Sequence, residues 1–133
     1  MALFHWQQRF LSGFQEIDEH HIHLVGLLNT AYDDFRDSVP RERLDALFLE
    51  LLDYATYHFA AEERLMKESG YPAHEAHDRQ HRQFAARVTE MHRDYLAGKP
   101  VFLEVLTFLK GWLESHIVKS DRDLATFLIT VTN

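Results

Sequence analysis

Residues 74–95 read HEAHDRQHRQFAARVTEMHRDY, and their pattern decides the fold class. Apolar or imidazole side chains recur every three or four residues, at His74, His77, His81, Phe84, Val88, Met91 and Tyr95. That spacing follows the turn of an α-helix and differs from the two-residue alternation of a strand. The stretch therefore predicts an amphipathic helix that carries imidazoles on the face it turns toward its neighbours.

Three more segments repeat this spacing. Their stripes are Ile17, His21, Leu24, Leu28, Tyr32 and Phe35; Leu44, Leu47, Leu51, Tyr54, His58, Glu62 and Leu65; and Phe102, Leu106, Leu109, Leu113, His116, Asp121, Leu124 and Phe127 with Leu128. Short breaks that contain Pro40, Pro72 and Pro100 separate the segments. Because short turns join helices that run antiparallel, we predict an all-α, antiparallel up-down-up-down four-helix bundle over residues 17–133.

Residues 1–16 precede the first stripe. They carry large apolar side chains, among them Trp6, Phe10, Leu11 and Phe14, which lose contact with water if the segment packs on the bundle. We predict an N-terminal arm of this kind, and a single domain over residues 1–133.

The composition limits the possible functions. The 133 residues include 21 acidic and 14 basic side chains, ten histidines and no cysteine, with a net charge of −7. Without cysteine, disulfide frameworks and thiolate-held metals are excluded, so any metal must be held by imidazole and carboxylate. The negative charge argues against a nucleic-acid partner. With no secretion signal and no stretch of about 20 apolar residues, we expect a cytoplasmic protein without membrane attachment.

Polar side chains on the buried faces carry most of the functional information. A buried imidazole or carboxylate needs a partner, because its desolvation is costly. A single one of them is readily explained as a hydrogen-bonded core histidine. Here all four helices contribute, and the spacing repeats: His58 and Glu62 are four residues apart, as are His77 and His81. Each pair points in one direction with a separation of one turn, as ligands of a shared metal site require.

The first and fourth helices complete the set. His21 lies on the stripe of Ile17 and Leu24, whereas His20 lies to one side of that stripe. His116 and Asp121 are five residues apart and share a face only if the helix is overwound or bulged between them. We leave His74 out because it lies so close to the start of its helix. The predicted ligands are His21, His58, Glu62, His77, His81, His116 and Asp121.

Seven ligands exceed the four donors of a tetrahedral zinc site and suit two octahedral transition ions. If both carboxylates and one oxygen bridge the ions, the five imidazoles leave one position open for a small ligand. Zinc, manganese and nickel also accept these donors, so the spacing does not identify the metal.

The sequence resembles the hemerythrin family, in particular its single-domain bacterial members. The matching pieces lie one to a helix and in order: residues 17–21 (IDEHH), 58–62 (HFAAE), 77–81 (HDRQH) and 116–121 (HIVKSD). The resemblance implies a non-haem site of two iron ions, Fe2+ or Fe3+, with a bridging oxo or hydroxo group, which binds dioxygen reversibly. The protein that receives the oxygen stays unknown.

The resemblance also implies roles for single residues. His77, His81 and His116 would hold the coordinatively full iron, His21 and His58 the iron with the vacancy, and Glu62 and Asp121 would bridge. It implies an apolar oxygen pocket, although helical spacing alone explains these side chains equally well as core: Phe59, Phe84, Trp112, Leu113 and Ile117. The family commonly has glutamine immediately before the first ligand, where this chain has His20, so the contacts around that ligand are in doubt.

Three other functions compete with oxygen carriage, storage or delivery. The same ligands would serve a di-iron oxidoreductase of the peroxidase or nitric-oxide reductase type. They would also serve an oxygen- or redox-sensing domain, or a reservoir of zinc or iron. Oxygen-activating bundles carry Glu-x-x-His motifs and carboxylate-rich sites, and no Glu-x-x-His occurs in this chain. The excess of imidazole therefore favours binding over enzymatic activation.

Overall fold

The computed structural model describes residues 4–132. A short 3-10 helix, Gln8–Phe10, precedes the helices α1 (Gln15–Arg36), α2 (Arg41–Ser69), α3 (His74–Leu96), α4 (Phe102–His116) and α5 (Arg122–Thr132). A π-helical turn, Ile117–Asp121, joins α4 to α5 without a break, so that together they form the fourth arm of a bundle. The predicted all-α, antiparallel four-helix bundle is confirmed, and the part of the chain described contains no strand.

The connections explain the antiparallel order. They span residues 37–40, 70–73 and 97–101, and connections this short return the chain alongside the helix it has just left. Gly70 ends α2 in a left-handed conformation with φ 70°, and its N–H bonds to the carbonyl of Met66. Neighbouring helices in the chain pack on one another, and α1 also packs on α4, which closes the ring.

The N-terminal segment packs on the bundle. Phe10 is buried and Trp6 is half-buried, with ring centroids 5.4 Å apart. Asn29 on α1 fixes the start of the segment, because its side chain exchanges hydrogen bonds of 2.8 and 2.9 Å with the backbone of Phe4. Leu11 differs from the expectation and stays exposed. The helix α1 begins at Gln15, two residues before the predicted start of the bundle.

Two apolar clusters fill the interior, and polar residues separate them along α1 and along the fourth arm. The large cluster contains Phe4, Leu28, Phe48, Phe84, Leu106 and fifteen other buried residues. The small cluster contains Ile17, Met66, Leu124, Ala125 and Leu128. On α1 the order is Ile17, His21, Leu24, and on the fourth arm it is Ile117, Asp121, Leu124. The bundle therefore holds a polar layer between two hydrophobic cores. No helix within residues 4–132 is both long and apolar enough to span a bilayer.

Candidate metal centre

All seven predicted ligand side chains come together in that polar layer. Each is at most 4% exposed to solvent, although five are imidazoles and two are carboxylates. They divide into two groups by the direction of their ligand atoms.

The three-imidazole group consists of His77 and His81 on α3 and His116 at the end of α4. The Nε2 atoms of His81 and His116 lie 3.3 Å apart. Glu62 Oε1 lies 3.1 Å from Nε2 of both His77 and His81. Asp121 Oδ1 lies 3.1 Å from His77 Nε2 and 2.9 Å from His116 Nε2. Three nitrogens and two oxygens thus converge, one ligand atom from each residue lying within 4.8 Å of every other.

The two-imidazole group consists of His21 on α1 and His58 on α2. His21 Nε2 lies 2.6 Å from Asp121 Oδ2. His58 Nε2 lies 3.5 Å from Asp121 Oδ2 and 3.5 Å from Glu62 Oε2. One ligand atom from each of these four residues also falls within 4.8 Å of the others.

Glu62 and Asp121 belong to both groups. Each directs one carboxylate oxygen to the three-imidazole group and the other oxygen to the two-imidazole group. This is the arrangement in which a carboxylate bridges two cations.

The π turn brings Asp121 into the layer. In a regular α-helix, residues five apart point about 140° away from each other. A π turn closes with bonds between residues five apart and so aligns them. With the turn at Ile117–Asp121, the carboxylate of Asp121 comes beside the imidazole of His116. The helix is therefore widened between His116 and Asp121, as their five-residue spacing requires.

The pKa values of the two carboxyl groups are shifted in opposite directions. Burial raises the pKa of Glu62 well above its ordinary value, and the charge of Asp121 raises it further. Burial acts the same way on Asp121, but the charge of His116 and hydrogen bonds from His116, His21 and His58 hold its pKa well below the usual value. Glu62 Oε2 makes no hydrogen bond within residues 4–132. A buried oxygen of this kind is costly without a cation, and the two groups of donors together fit two metal ions.

The imidazoles also differ from one another. Burial lowers the pKa of His58 to about 4 and that of His81 to about 2. Burial acts to lower the pKa of His116 as well, but the charges and hydrogen bonds of Asp121 and Glu62 raise it to about 9. At neutral pH and without metal, His116 is therefore protonated, whereas His58 and His81 are neutral.

Two polar residues of the surrounding layer escaped the sequence analysis. His116 Nδ1 donates a hydrogen bond to Gln80 Oε1 at 2.8 Å, and Ser120 Oγ donates to the same oxygen at 2.6 Å. Gln80 thereby holds the ring of His116 from the side opposite the ligand atoms. No spacing on α3 distinguishes it, since its partners are 36 and 40 residues away along the chain.

The five remaining histidines lie outside the two groups. His20 is 7% exposed, and its Nδ1 lies 2.9 Å from Nδ1 of His58. The other four are away from the layer: His5, His23, His74 and His92. His74 lies at the surface, with Nε2 2.8 Å from Asp78 Oδ2, and His92 packs against the ring of Phe48.

Aromatic rings cover the three-imidazole group. Phe59 stacks on His81 with ring centroids 3.9 Å apart and planes at 13°. Trp112 stacks on His116 at 4.2 Å and 17°. These contacts fix the planes of both imidazoles and keep water from their faces.

An apolar cavity of about 20 Å³ adjoins the ring of Phe59. Three of the predicted pocket residues line it, namely Phe59, Phe84 and Leu113. Trp112 and Ile117 do not, although Trp112 packs on Phe84 at 4.4 Å and Ile117 is buried. The rest of the wall is aliphatic: Leu24, Leu28, Leu51, Leu52, Ala55 and Leu109. A volume of this size is enough for about one water-sized molecule.

Comparison with known proteins assigns the chain to a family. The profile described as "Hemerythrin HHE cation binding domain" matches residues 12–128, which include all seven side chains of the two groups. The chain belongs to the hemerythrin family. The resemblance seen in the sequence is thereby confirmed.

Relatives of the same family align with nearly the whole chain. A bacteriohemerythrin of Stenotrophomonas maltophilia is 37% identical over 125 residues, which cover 94% of this chain and 81% of the relative. A bacteriohemerythrin of Pseudomonas paraeruginosa is 35% identical over 121 residues, or 91% and 78% of the two chains. The crystal structure of a wild-type hemerythrin superposes with a TM-score of 0.87 at 25% identity, covering 96% of this chain and 98% of that one.

Proposed function

We propose that this hemerythrin binds dioxygen reversibly at a pair of iron ions and serves in oxygen carriage, storage or delivery. One observation carries the proposal: two buried carboxylates each present one oxygen to three imidazoles and the other oxygen to two. Membership of the hemerythrin family supports the choice of iron and of dioxygen.

The ligand roles follow from the grouping. His77, His81 and His116 would hold one ion, His21 and His58 the other, and Glu62 and Asp121 would bridge them. When bound and reduced, the two ions would supply the two electrons that dioxygen takes up. With one further oxygen shared between the ions, the three imidazoles and two carboxylates would give one ion six ligands, and His21 and His58 with the same carboxylates would give the other five. The open position would therefore lie on the side of His21 and His58.

The protein's own contribution is to keep the site dry and rigid. The seven side chains are at most 4% exposed, and Phe59 and Trp112 cover two of the imidazoles. Excluding water slows the entry of protons, which would otherwise release reduced oxygen irreversibly. Such surroundings favour reversible binding over turnover.

Five imidazoles against two carboxylates also argue against an oxygen-activating enzyme, because such bundles use Glu-x-x-His motifs and carboxylate-rich sites. A di-iron oxidoreductase is the alternative function of the same residues, and an oxygen or redox sensor is the next.

The test is to load the chain with iron, reduce it without oxygen and then admit oxygen. We expect about two irons per chain and a visible absorption band that appears with oxygen and vanishes under vacuum over repeated cycles. Irreversible bleaching with consumption of a reductant would instead assign the enzymatic alternative. Fewer than about two irons in a fully loaded sample would contradict the di-iron site itself.

A further inference from the structure

His20 makes a contact to the two-imidazole group that the proposed function leaves unused. Its Nδ1 lies 2.9 Å from Nδ1 of His58, and the two rings meet nearly edge to face at 83°. Tyr54 and Tyr57 pack against the ring of His20 with centroids 5.9 and 5.1 Å away. The ring is thus buried and held in place on the outer side of His58.

Two imidazole nitrogens at this distance form a hydrogen bond only if one donates and the other accepts. The other nitrogen of His58, Nε2, faces the carboxylates of Glu62 and Asp121, each 3.5 Å away. As a metal ligand, His58 must present a lone pair at Nε2, which leaves its proton on Nδ1. His58 Nδ1–H therefore donates to His20 Nδ1, and the neutral ring of His20 carries its own proton on Nε2.

His58 is the one ligand of its group with such support within residues 4–132. The Nδ1 atom of His21 makes no hydrogen bond there. In the three-imidazole group, Gln80 performs the corresponding task for His116. Partners of this kind set the tautomer and the plane of a ligating imidazole, and their loss commonly weakens metal binding ten- to a hundredfold.

We propose that His20 is the positioning residue of the two-imidazole group: it accepts the Nδ1 proton of His58 and so fixes the tautomer and orientation in which His58 binds metal. The inference rests on the proposed function, since it assumes that His58 is a ligand. It assigns to His20 a task that requires an acceptor atom and not merely a ring of the right size.

Matched substitutions separate the acceptor from the packing. Asn and Leu branch alike at Cγ, and Asn places Oδ1 where histidine carries Nδ1, so His20→Asn keeps an acceptor and His20→Leu removes it. His20→Phe is a second acceptor-free variant that keeps a ring, for use if His20→Leu does not fold. Circular dichroism of the metal-free chains checks folding in each case.

The chains are loaded with ferrous iron under anaerobic conditions and titrated with a competing chelator while bound metal is counted. We expect the wild type and His20→Asn to hold about two ions equally well, whereas the acceptor-free variants release one of the two at roughly ten- to a hundredfold lower chelator concentration. Proton NMR gives a second readout, because the iron shifts the His58 Nδ1–H signal away from the others. That signal is expected to persist in His20→Asn and to be lost to solvent exchange in His20→Leu.

Equal chelator sensitivity and equal exchangeable signals in the Asn and Leu variants would overturn the role of His20 and leave it a packing residue. A wild-type chain that holds no more than one ion would overturn the proposed function as well. The two failures are therefore distinguishable.

Discussion

The two halves of the polar layer share Glu62 and Asp121 but differ in how many imidazoles they have. The difference originates in single positions on the helices. On α3, His77 and His81 occupy successive turns of one face. On α1, the positions one turn before and one turn after His21 are Ile17 and Val25, which are buried and cannot bind metal. The open coordination position that we propose therefore results from the aliphatic side chains at these two positions of α1.

The largest expected effect removes what the halves have in common. Glu62→Ala takes one oxygen from each group and leaves five imidazoles crowded around Asp121, so we expect loss of both ions and a melting temperature below that of the iron-loaded wild type. His92→Ala, a histidine away from the layer, is the control and should keep its iron. Elemental analysis of the purified variants decides, and equal metal content in the two would contradict the assignment of the layer.

The next effect distinguishes the halves by ligand number. His21→Ala leaves His58 as the one imidazole of its group, and we expect about one ion per chain. His77→Ala leaves two imidazoles in the larger group, and we expect both ions to be retained with weaker binding. Counting iron in both variants tests this, and an identical loss in each would show that the halves are equivalent.

A smaller effect concerns the hydrogen bond that holds His116. Gln80→Leu removes the acceptor for His116 Nδ1–H and for Ser120 Oγ. We expect roughly ten- to a hundredfold weaker metal binding in the three-imidazole group, measured by chelator competition. Gln80→Glu restores an acceptor oxygen and should recover the affinity. If Leu and Glu at this position bind metal alike, the hydrogen bond does not position His116.

The smallest expected effect concerns protons. Because the pKa of His116 is raised to about 9, this imidazole is protonated in the metal-free protein at pH 7. The pKa of Glu62 is raised well above its ordinary value, in the direction that favours its protonated form. The pKa of His58 is lowered to about 4, so its ring is neutral and has no additional proton to release. Metal loading should therefore release protons, and the affinity should rise with pH by about tenfold per unit for each proton until the pH passes the pKa of the group that releases it.

Calorimetry in buffers of different ionisation enthalpy counts these protons. We expect His116→Asn to release about one proton fewer per chain than the wild type, and His58→Asn to release the same number. Loading without proton release at pH 7 would contradict the charge state derived for the three-imidazole group.

The sequence was sufficient for the fold because each helix carries its own periodic stripe, and the stripes run between glycine- and proline-containing breaks. It was also sufficient to select the seven side chains as one candidate set, since two pairs lie four residues apart and the other three lie on or near the buried stripes, whereas their division into two groups came from the family resemblance. The role of Gln80 and the buried position of His20 could be recognised only from the structure. His20 lies off the seam of α1 and is buried because α2 brings Tyr54 and Tyr57 against it, a contact that no spacing within α1 reveals.

The N-terminal boundary illustrates a second limit. The apolar stripe begins at Ile17, but α1 begins at Gln15, because a helix extends beyond its buried face wherever its backbone hydrogen bonds close. The carbonyl of Phe14 already accepts the N–H of Asp18 at 3.0 Å. Periodicity locates what is buried and leaves the first turn undefined.

The π turn links the length of the chain to the shape of the helix. If the turn became a regular α-helix with all its residues kept, everything after it would rotate by about 100°. Asp121 would then leave the layer, and Leu124, Ala125 and Leu128 would turn away from the small apolar cluster. Deleting one residue between Ile117 and Asp121 would have the opposite outcome, because His116 and Asp121 would then lie four apart in a regular helix and still point in one direction. The extra residue and the π geometry therefore compensate each other, and neither can change alone without the loss of a ligand and a core together.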